Sequence, residues 1–259
     1  MANEVRYTKE NGVAVVVIDH PPLNVLTRDI FLQLDETFQV LDNDDDVVVV
    51  ILTTAGNRAF IAGVDVKAFP RLMEQSNLRA EVMQIHRVMM HIEDFSKPTI
   101  VVLDGATLGG GLELALAFDI RIAEEHAQIG LPEVKLGLFP GGGGTQRLSR
   151  LVGEAKAKEM MFTGEPVAAA VAERIGLVNQ VVATGAGLMA AREMAANIAR
   201  HSRQSLTRIK RAVDQGMEMP LERAIEHEAD LFVEVLHTED VREGVNAFLQ
   251  HRKPVFQHR

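Results

Sequence analysis

Apolar positions along this chain switch between two periods. Val13 to Ile18 is a β-branched run halted by Pro21-Pro22, which predicts a strand. Ile30, Phe31, Leu34, Phe38 and Leu41 recur at helical spacing and predict a helix over 30–41. After the acidic turn Asp42 to Asp46, Val47 to Leu52 is apolar at every position, the pattern of a strand buried on both faces. Helical spacing returns over Leu78 to Ile92, a buried strand over Thr99 to Leu103, a helix over Leu112 to Phe118 and a short strand over Ile120 to Ala123. Helices follow at Ala155–Met161, Ala168–Glu173 and Leu188–Ala199, with a strand at Val178–Val182. Beyond Ser205 only helical patterns occur, over 205–215, 221–236 and 240–250. This alternation predicts an α/β fold with mainly parallel pairing and a helical C-terminal region.

Composition narrows the function. With 259 residues the chain can bury a large core, and no low-complexity linker divides it. The net charge of -9, from 36 acidic and 27 basic side chains, repels a phosphate polymer. The densest basic stretch, Arg203 to Arg211, is too short for a nucleic-acid stripe, so no nucleic-acid partner is expected. A small anion needs only a few cations or a helix N-terminus, so that class stays open. The absence of cysteine excludes disulfides, thiolate metal sites and a Cys nucleophile, and fits a reducing compartment. The opening MANEVRYTKE has no apolar secretion core, and the longest apolar runs are too short to span a membrane. A cytoplasmic or processed matrix location is expected, with no membrane association.

Three segments carry candidate chemistry. In Gly105-Ala-Thr-Leu-Gly-Gly-Gly-Leu-Glu113-Leu-Ala-Leu-Ala, three glycines break a helix and the residues after them favour one, so the glycines mark a helix N-terminus with outward-pointing N–H groups. A bare Gly110 admits a ligand oxygen; the plainer alternative is a close crossing of two backbones. Glu113 in the first turn has an ordinary dipole-capping explanation, but its apolar neighbours imply burial, and a buried carboxylate needs a partner or a purpose. In the second segment, Glu133 follows Pro132 in a turn, and two carboxylates in different surroundings suit acid and base roles. The run Gly141 to Gly144 fits neither a P-loop nor a dinucleotide fingerprint, and reads as a flexible lead-in to a helix containing Arg147 and Leu151. The third segment, Ala59 to Lys67, reads as a loop at the C-terminal end of a parallel strand, where ligands bind in such folds. Asp42, Asp44 and Asp46 lack the glycine of a calcium loop, and Glu234 with His237 lacks a second such pair, so no metal is expected.

AFIAGVDVK (59–67), GATLGGGLELALAFDIRIA (105–123), AQIGLPEVKLGLFPGGGGTQRL (127–148) and the tail EDVREGVNAFLQHRKPVF (239–256) together resemble the crotonase (enoyl-CoA hydratase/isomerase) superfamily. The resemblance implies a spiral of ββα turns over residues 1–200 and a helical oligomerisation region over 201–259 that builds trimers or hexamers. It implies an acyl-CoA thioester as substrate, with no cofactor beyond the coenzyme A that the substrate carries. By position, the backbone N–H groups of Val64 and Gly110 would form an oxyanion hole, and Glu113 and Glu133 match the two catalytic glutamates of the hydratases. Ala62, Asp65, Val66 and Lys67 would follow the coenzyme, and Lys210 resembles a tail lysine near its phosphates. Val64 departs from the small residue usual at its position. The activity implied is hydration of a trans-2-enoyl-CoA to a 3-hydroxyacyl-CoA. Double-bond isomerisation or another acyl-CoA lyase reaction is the enzymatic alternative, and an RNA-binding hydratase relative the non-enzymatic one.

Overall fold

A computed structural model describes residues 4–56 and 58–259. The chain begins with β1 (Val5–Glu10), β2 (Val13–Ile18) and α1 (Arg28–Asp42). Next, β3 (Val49–Thr54) and β4 (Ala59–Ile61) lead to α2 (Phe69–Met73) and α3 (Leu78–Glu93), and β5 (Thr99–Leu103) and β6 (Ala106–Leu108) lead to α4 (Gly110–Ala115). After β7 (Ile120–Glu124) and β8 (Gln128–Gly130) come α5 (Gly144–Val152) and α6 (Glu154–Thr163). Then follow β9 (Val167–Ala168), α7 (Ala169–Arg174), β10 (Gln180–Val182) and α8 (Gly187–Ile198). The last helices are α9 (Arg203–Gly216), α10 (Leu221–Leu236) and α11 (Glu239–Leu249).

The strands sort into two sheets, ordered β1-β2-β3-β5-β7-β10 and β4-β6-β8-β9. Each ββ unit from β3 to β8 gives its first strand to the larger sheet and its second to the smaller, then a helix returns the chain. That is the spiral of ββα turns the resemblance implies. Side-chain alternation explains why the larger sheet sits in the middle. Val50 and Leu52 of β3 and Val101 and Leu103 of β5 join the main core with α1, α3 and α4. Val49, Ile51, Ile100 and Val102 point the other way and pack on Ala191 and Ala195 of α8.

Several local expectations are corrected. The strand expected at Val47 starts at Val49, because Val47 N–H still closes the acidic turn on Asp44 O. It runs on through Thr53 and Thr54, which pair with Val17 and Ile18. The edge strand β1 is joined to β2 through Asn11 (φ 49°) and Gly12 (φ 80°), a turn that matches strand twist. The segment read as a loop from Ala59 contains β4, and β6 and β8 were not anticipated either. The three glycines do mark a helix N-terminus: Gly109 is the cap of α4, and Gly110 and Gly111 begin its first turn.

The C-terminal helices are tied back by Asp240, which is buried. It accepts hydrogen bonds from Ser202 Oγ and from the backbone N–H of Gln257 and His258. Among the described residues no helix is long and apolar enough to cross a membrane.

Candidate active site

The smaller sheet assembles the site. Gly109 follows β6 at φ 53°, a conformation that favours glycine, and donates its N–H to Gly130 O at the end of β8 (2.9 Å). This contact brings the turn after β8, and with it Glu133, beside the N-terminus of α4. A Cβ on Gly109 would stand 3.1 Å from Glu133 Oε1. At the other side α4 presses on β4: a Cβ on Gly111 would stand 2.4 Å from Ile61 O. The glycines therefore serve a close backbone crossing and an open helix start at once.

Val64 reaches the same place from the end of β4. Asn24, buried and left-handed (φ 51°), donates through Nδ2 to Ala55 O (3.0 Å) and Ala59 O (3.1 Å) and pins the preceding segment. Leu26 then forms a parallel bridge with Val64: Leu26 N–H donates to Gly63 O (2.8 Å) and Asp65 N–H to Leu26 O (2.9 Å). Both bonds flank Val64, and its own N–H faces away from them. The N–H groups of Val64 and Gly110 have no acceptor among the described residues. A Cβ on Gly110 would stand 3.8 Å from Val64 N and 2.7 Å from Val64 Cγ1, so only glycine leaves this space open. An apolar cavity of about 280 Å³ borders Val64, walled by Leu26, Phe31, Leu72, Ile85 and Val88.

The two glutamates differ in their partners. Glu113 is buried, and its Oε1 accepts N–H bonds from both Gly142 (2.7 Å) and Gly144 (2.9 Å). Burial raises its pKa; the two N–H groups and the Arg147 cation oppose that rise. Glu133 has two buried carboxyl oxygens with no hydrogen-bond partner among the described residues. Burial, reinforced by the neighbouring Glu113 charge, pushes its pKa up to about 7. One carboxylate thus has support for its charge, and the other is held near the midpoint of titration at neutral pH.

The remaining expected residues divide. Asp65 Oδ1 accepts from Lys67 N (3.1 Å) and caps a 3-10 turn over Val66–Ala68, on which Val66 and Lys67 are exposed; Ala62 is half-buried just before it. Lys210 is buried, and its ammonium is paired with Asp119 (Oδ1 at 2.9 Å, Oδ2 at 3.1 Å). Local sequence reads the cradle of Gly142 and Gly144 only as a flexible lead-in and carries no signal for the role of Asn24. Among the described residues no group of three or more His, Asp or Glu could hold a metal ion.

The ββα turns thus bring Glu113, Glu133 and the N–H groups of Val64 and Gly110 together at the end of the smaller sheet. The enoyl-CoA hydratase/isomerase family model matches residues 8–259. The short-chain-enoyl-CoA hydratase of Clostridium acetobutylicum is 39% identical over 254 residues, covering 97% of this chain and 96% of that protein. The 2,3-dehydroadipyl-CoA hydratase of Escherichia coli is 35% identical, covering 99% of this chain and all of that one (100%). The crystal structure of an enoyl-CoA hydratase from Bacillus anthracis superposes with a TM-score of 0.94 at 34% identity, covering 99% of this chain and 100% of that one. The chain belongs to the enoyl-CoA hydratase/isomerase family.

Proposed function

We propose that this protein hydrates trans-2-enoyl-CoA thioesters to 3-hydroxyacyl-CoA, acting in the cytoplasm. The observation that carries the reading is the pairing of a cradled Glu113 with an unpartnered Glu133 next to two unpaired backbone donors. The Val64 and Gly110 N–H groups receive the thioester oxygen and hold the negative charge that grows on it as the enolate forms, an effect worth several kcal/mol in such sites. Glu113 uses Oε2 to take a proton from water as the water oxygen bonds to Cβ. Glu133, protonated, delivers its proton to Cα as the enolate collapses. One O–H bond of water breaks, C–O and C–H bonds form, and the final proton balance is restored by exchange between the carboxyl groups and solvent. Ala62 and the Val66–Lys67 turn follow the coenzyme; Lys210 is left out because Asp119 holds it.

The exposed apolar side chains of the last helices, among them Ile209, Val213, Met217, Phe232, Val233 and Phe248, support self-association as a trimer or hexamer through residues 201–259. Light scattering on the purified protein tests this, and a monomer at micromolar concentration rules it out.

The deciding experiment follows a panel of enoyl-CoAs of increasing length and branching, with hydration and double-bond migration measured separately. Hydration of at least one member, and its loss by ~10²-fold or more in Glu133→Gln, is expected. No hydration of any member, or a folded Glu133→Gln with full activity, overturns the assignment.

A further inference from the structure

We infer that Arg147 and Glu93 form a clamp that positions Glu113 through the glycine cradle; this rests on the role proposed for Glu113. Arg147 grips Glu93 at the end of α3 with two arms: Nε donates to Oε1 (3.0 Å) and Nη2 to Oε2 (2.5 Å). Its third nitrogen covers the middle of the cradle, since a Cβ on Gly143 would stand 2.2 Å from Arg147 Nη1. Gly143, at φ 108°, lies between the two residues whose N–H groups hold Glu113. Arg147 N–H also closes the first turn of α5 on Gly143 O (2.9 Å). The guanidinium therefore lies against Gly143 while the Arg147 backbone N–H holds the carbonyl of the same residue.

Glu93 supplies the fixed end. It sits on a helix whose Val88, Met89 and Ile92 lie in the main core, so its carboxylate is carried by a rigid element. Arg147's side chain is 14% exposed and Glu93's 43%, and a pair so open on one side adds little stability by itself. A planar fork does fix position, which a single lysine ammonium does not.

The charged groups around the pair are few. Glu113 faces Arg147 from α5 and Glu133 from the turn after β8. Arg147 faces Glu93, and Glu93 in turn acts on Asp214 of α9. Arg147 favours the ionised form of Glu113, so its removal raises the pH at which the base becomes active.

The test measures kcat, KM and the pH profile of the full-length enzyme for wild type, Arg147→Lys, Arg147→Gln and Glu93→Gln. Arg147→Gln is expected to lower kcat about tenfold or more, in the range a small misplacement costs, with KM little changed. The acid limb of its profile should move to higher pH. Arg147→Lys should keep the acid limb but lose several-fold in kcat, because the charge remains and the fork does not. Glu93→Gln should lower kcat with the acid limb in place. If Arg147→Gln fails to fold, the Lys and Glu93 variants decide. Unchanged kcat in both of those, or an Arg147→Gln effect confined to melting temperature, overturns the clamp. Absence of wild-type turnover would instead count against the hydratase reading itself.

Discussion

Glu113 and Glu124 are held by the same device, but only Glu113 is left with a carboxyl oxygen that accepts no hydrogen bond among the described residues. Both are buried. Each accepts from two glycine N–H groups two positions apart at the start of a helix: Gly142 and Gly144 at α5, Gly185 and Gly187 at α8. The difference lies in which oxygen is used. Glu124 spreads the donors, taking Gly185 N–H on Oε2 (2.7 Å) and Gly187 N–H on Oε1 (3.0 Å), with His126 Nδ1 3.6 Å from Oε2. Glu113 takes both on Oε1, and its Oε2 has no partner among the described residues. A carboxylate engaged through both oxygens ties a loop to a strand. One engaged through a single oxygen has the same anchoring and leaves its second oxygen for the role proposed for Glu113.

The largest effects should separate the two by removing each charge. Glu113→Gln should lower turnover by ~10²-fold or more while changing the melting temperature little, because a carbonyl oxygen still accepts the two N–H bonds. Glu124→Gln should do the reverse. Its amide turns one acceptor into a donor facing a glycine N–H, at a cost of about 1–3 kcal/mol. That appears as a drop of several degrees in thermal melting, with kcat preserved. A Glu124 variant that loses turnover as heavily as the Glu113 variant would break the distinction.

The glycines give a second, smaller contrast. A Cβ on Gly142 would stand 2.5 Å from Glu113 Oε2, so Gly142→Ala pushes on the oxygen proposed to take the proton and should lower kcat about tenfold or more. A Cβ on Gly185 meets nothing within 4 Å, but the backbone there sits at φ 82°. Gly185→Ala should therefore cost about 1 kcal/mol of stability through strain and leave the rate alone. Parallel melts and initial rates of the two variants check the pair.

How much of this was open to sequence reading depends on the range of the interactions. The amphipathic helices were legible because their signal is local: α10 runs over the residues its apolar spacing marks, and α1 and α3 extend only slightly past theirs. The central strands were legible because burial on both faces makes them apolar throughout. The edge strand β1 was not, since Arg6 to Glu10 are exposed and carry no apolar run. The three-residue strands β4, β6 and β8 are too short to show a period and lie in Gly-rich segments, yet they place Val64, Gly110 and Glu133. Glu113 could be suspected from its apolar neighbours. The purpose of Gly141 to Gly144 could not, because it depends on a contact across about 30 residues of chain that no local pattern encodes. The Gly-x-Gly spacing that recurs at Gly185 and Gly187 is the one trace the sequence holds of that device.

Glu133 sharpens the comparison from the other end, as a carboxyl group with no cradle at all. Its pKa is about 7 in the folded chain against 4.5 for the ordinary side chain. Between those values the folded state binds more protons than the unfolded one, so stability falls as pH rises through that window. Above it the full cost of the unpartnered charge is present. Glu133→Gln removes that cost and should melt several degrees higher than wild type at pH 8, with little difference at pH 4, while turnover is lost. In wild type, Glu133 in its proposed role as proton donor should give kcat/KM a basic limb near pH 7. A variant that is inactive and also less stable at pH 8 would mean that Glu133 has a structural partner in solution.

The smallest effect concerns what the site accepts. Val64 keeps its N–H in place through the Leu26 bridge, so Val64→Ala should leave turnover of a four-carbon enoyl-CoA within a few-fold of wild type. Its side chain borders the apolar cavity and leans over Gly110, where a stiff β-branched group sets the width of the passage. Trimming it should raise the kcat/KM ratio of an eight-carbon over a four-carbon enoyl-CoA by about three- to tenfold, in keeping with the modest discrimination that single methylenes give. An unchanged ratio would show that the acyl chain leaves the thioester on the side away from Val64, and that the two N–H donors, rather than the side chain of one of them, are all that this segment contributes.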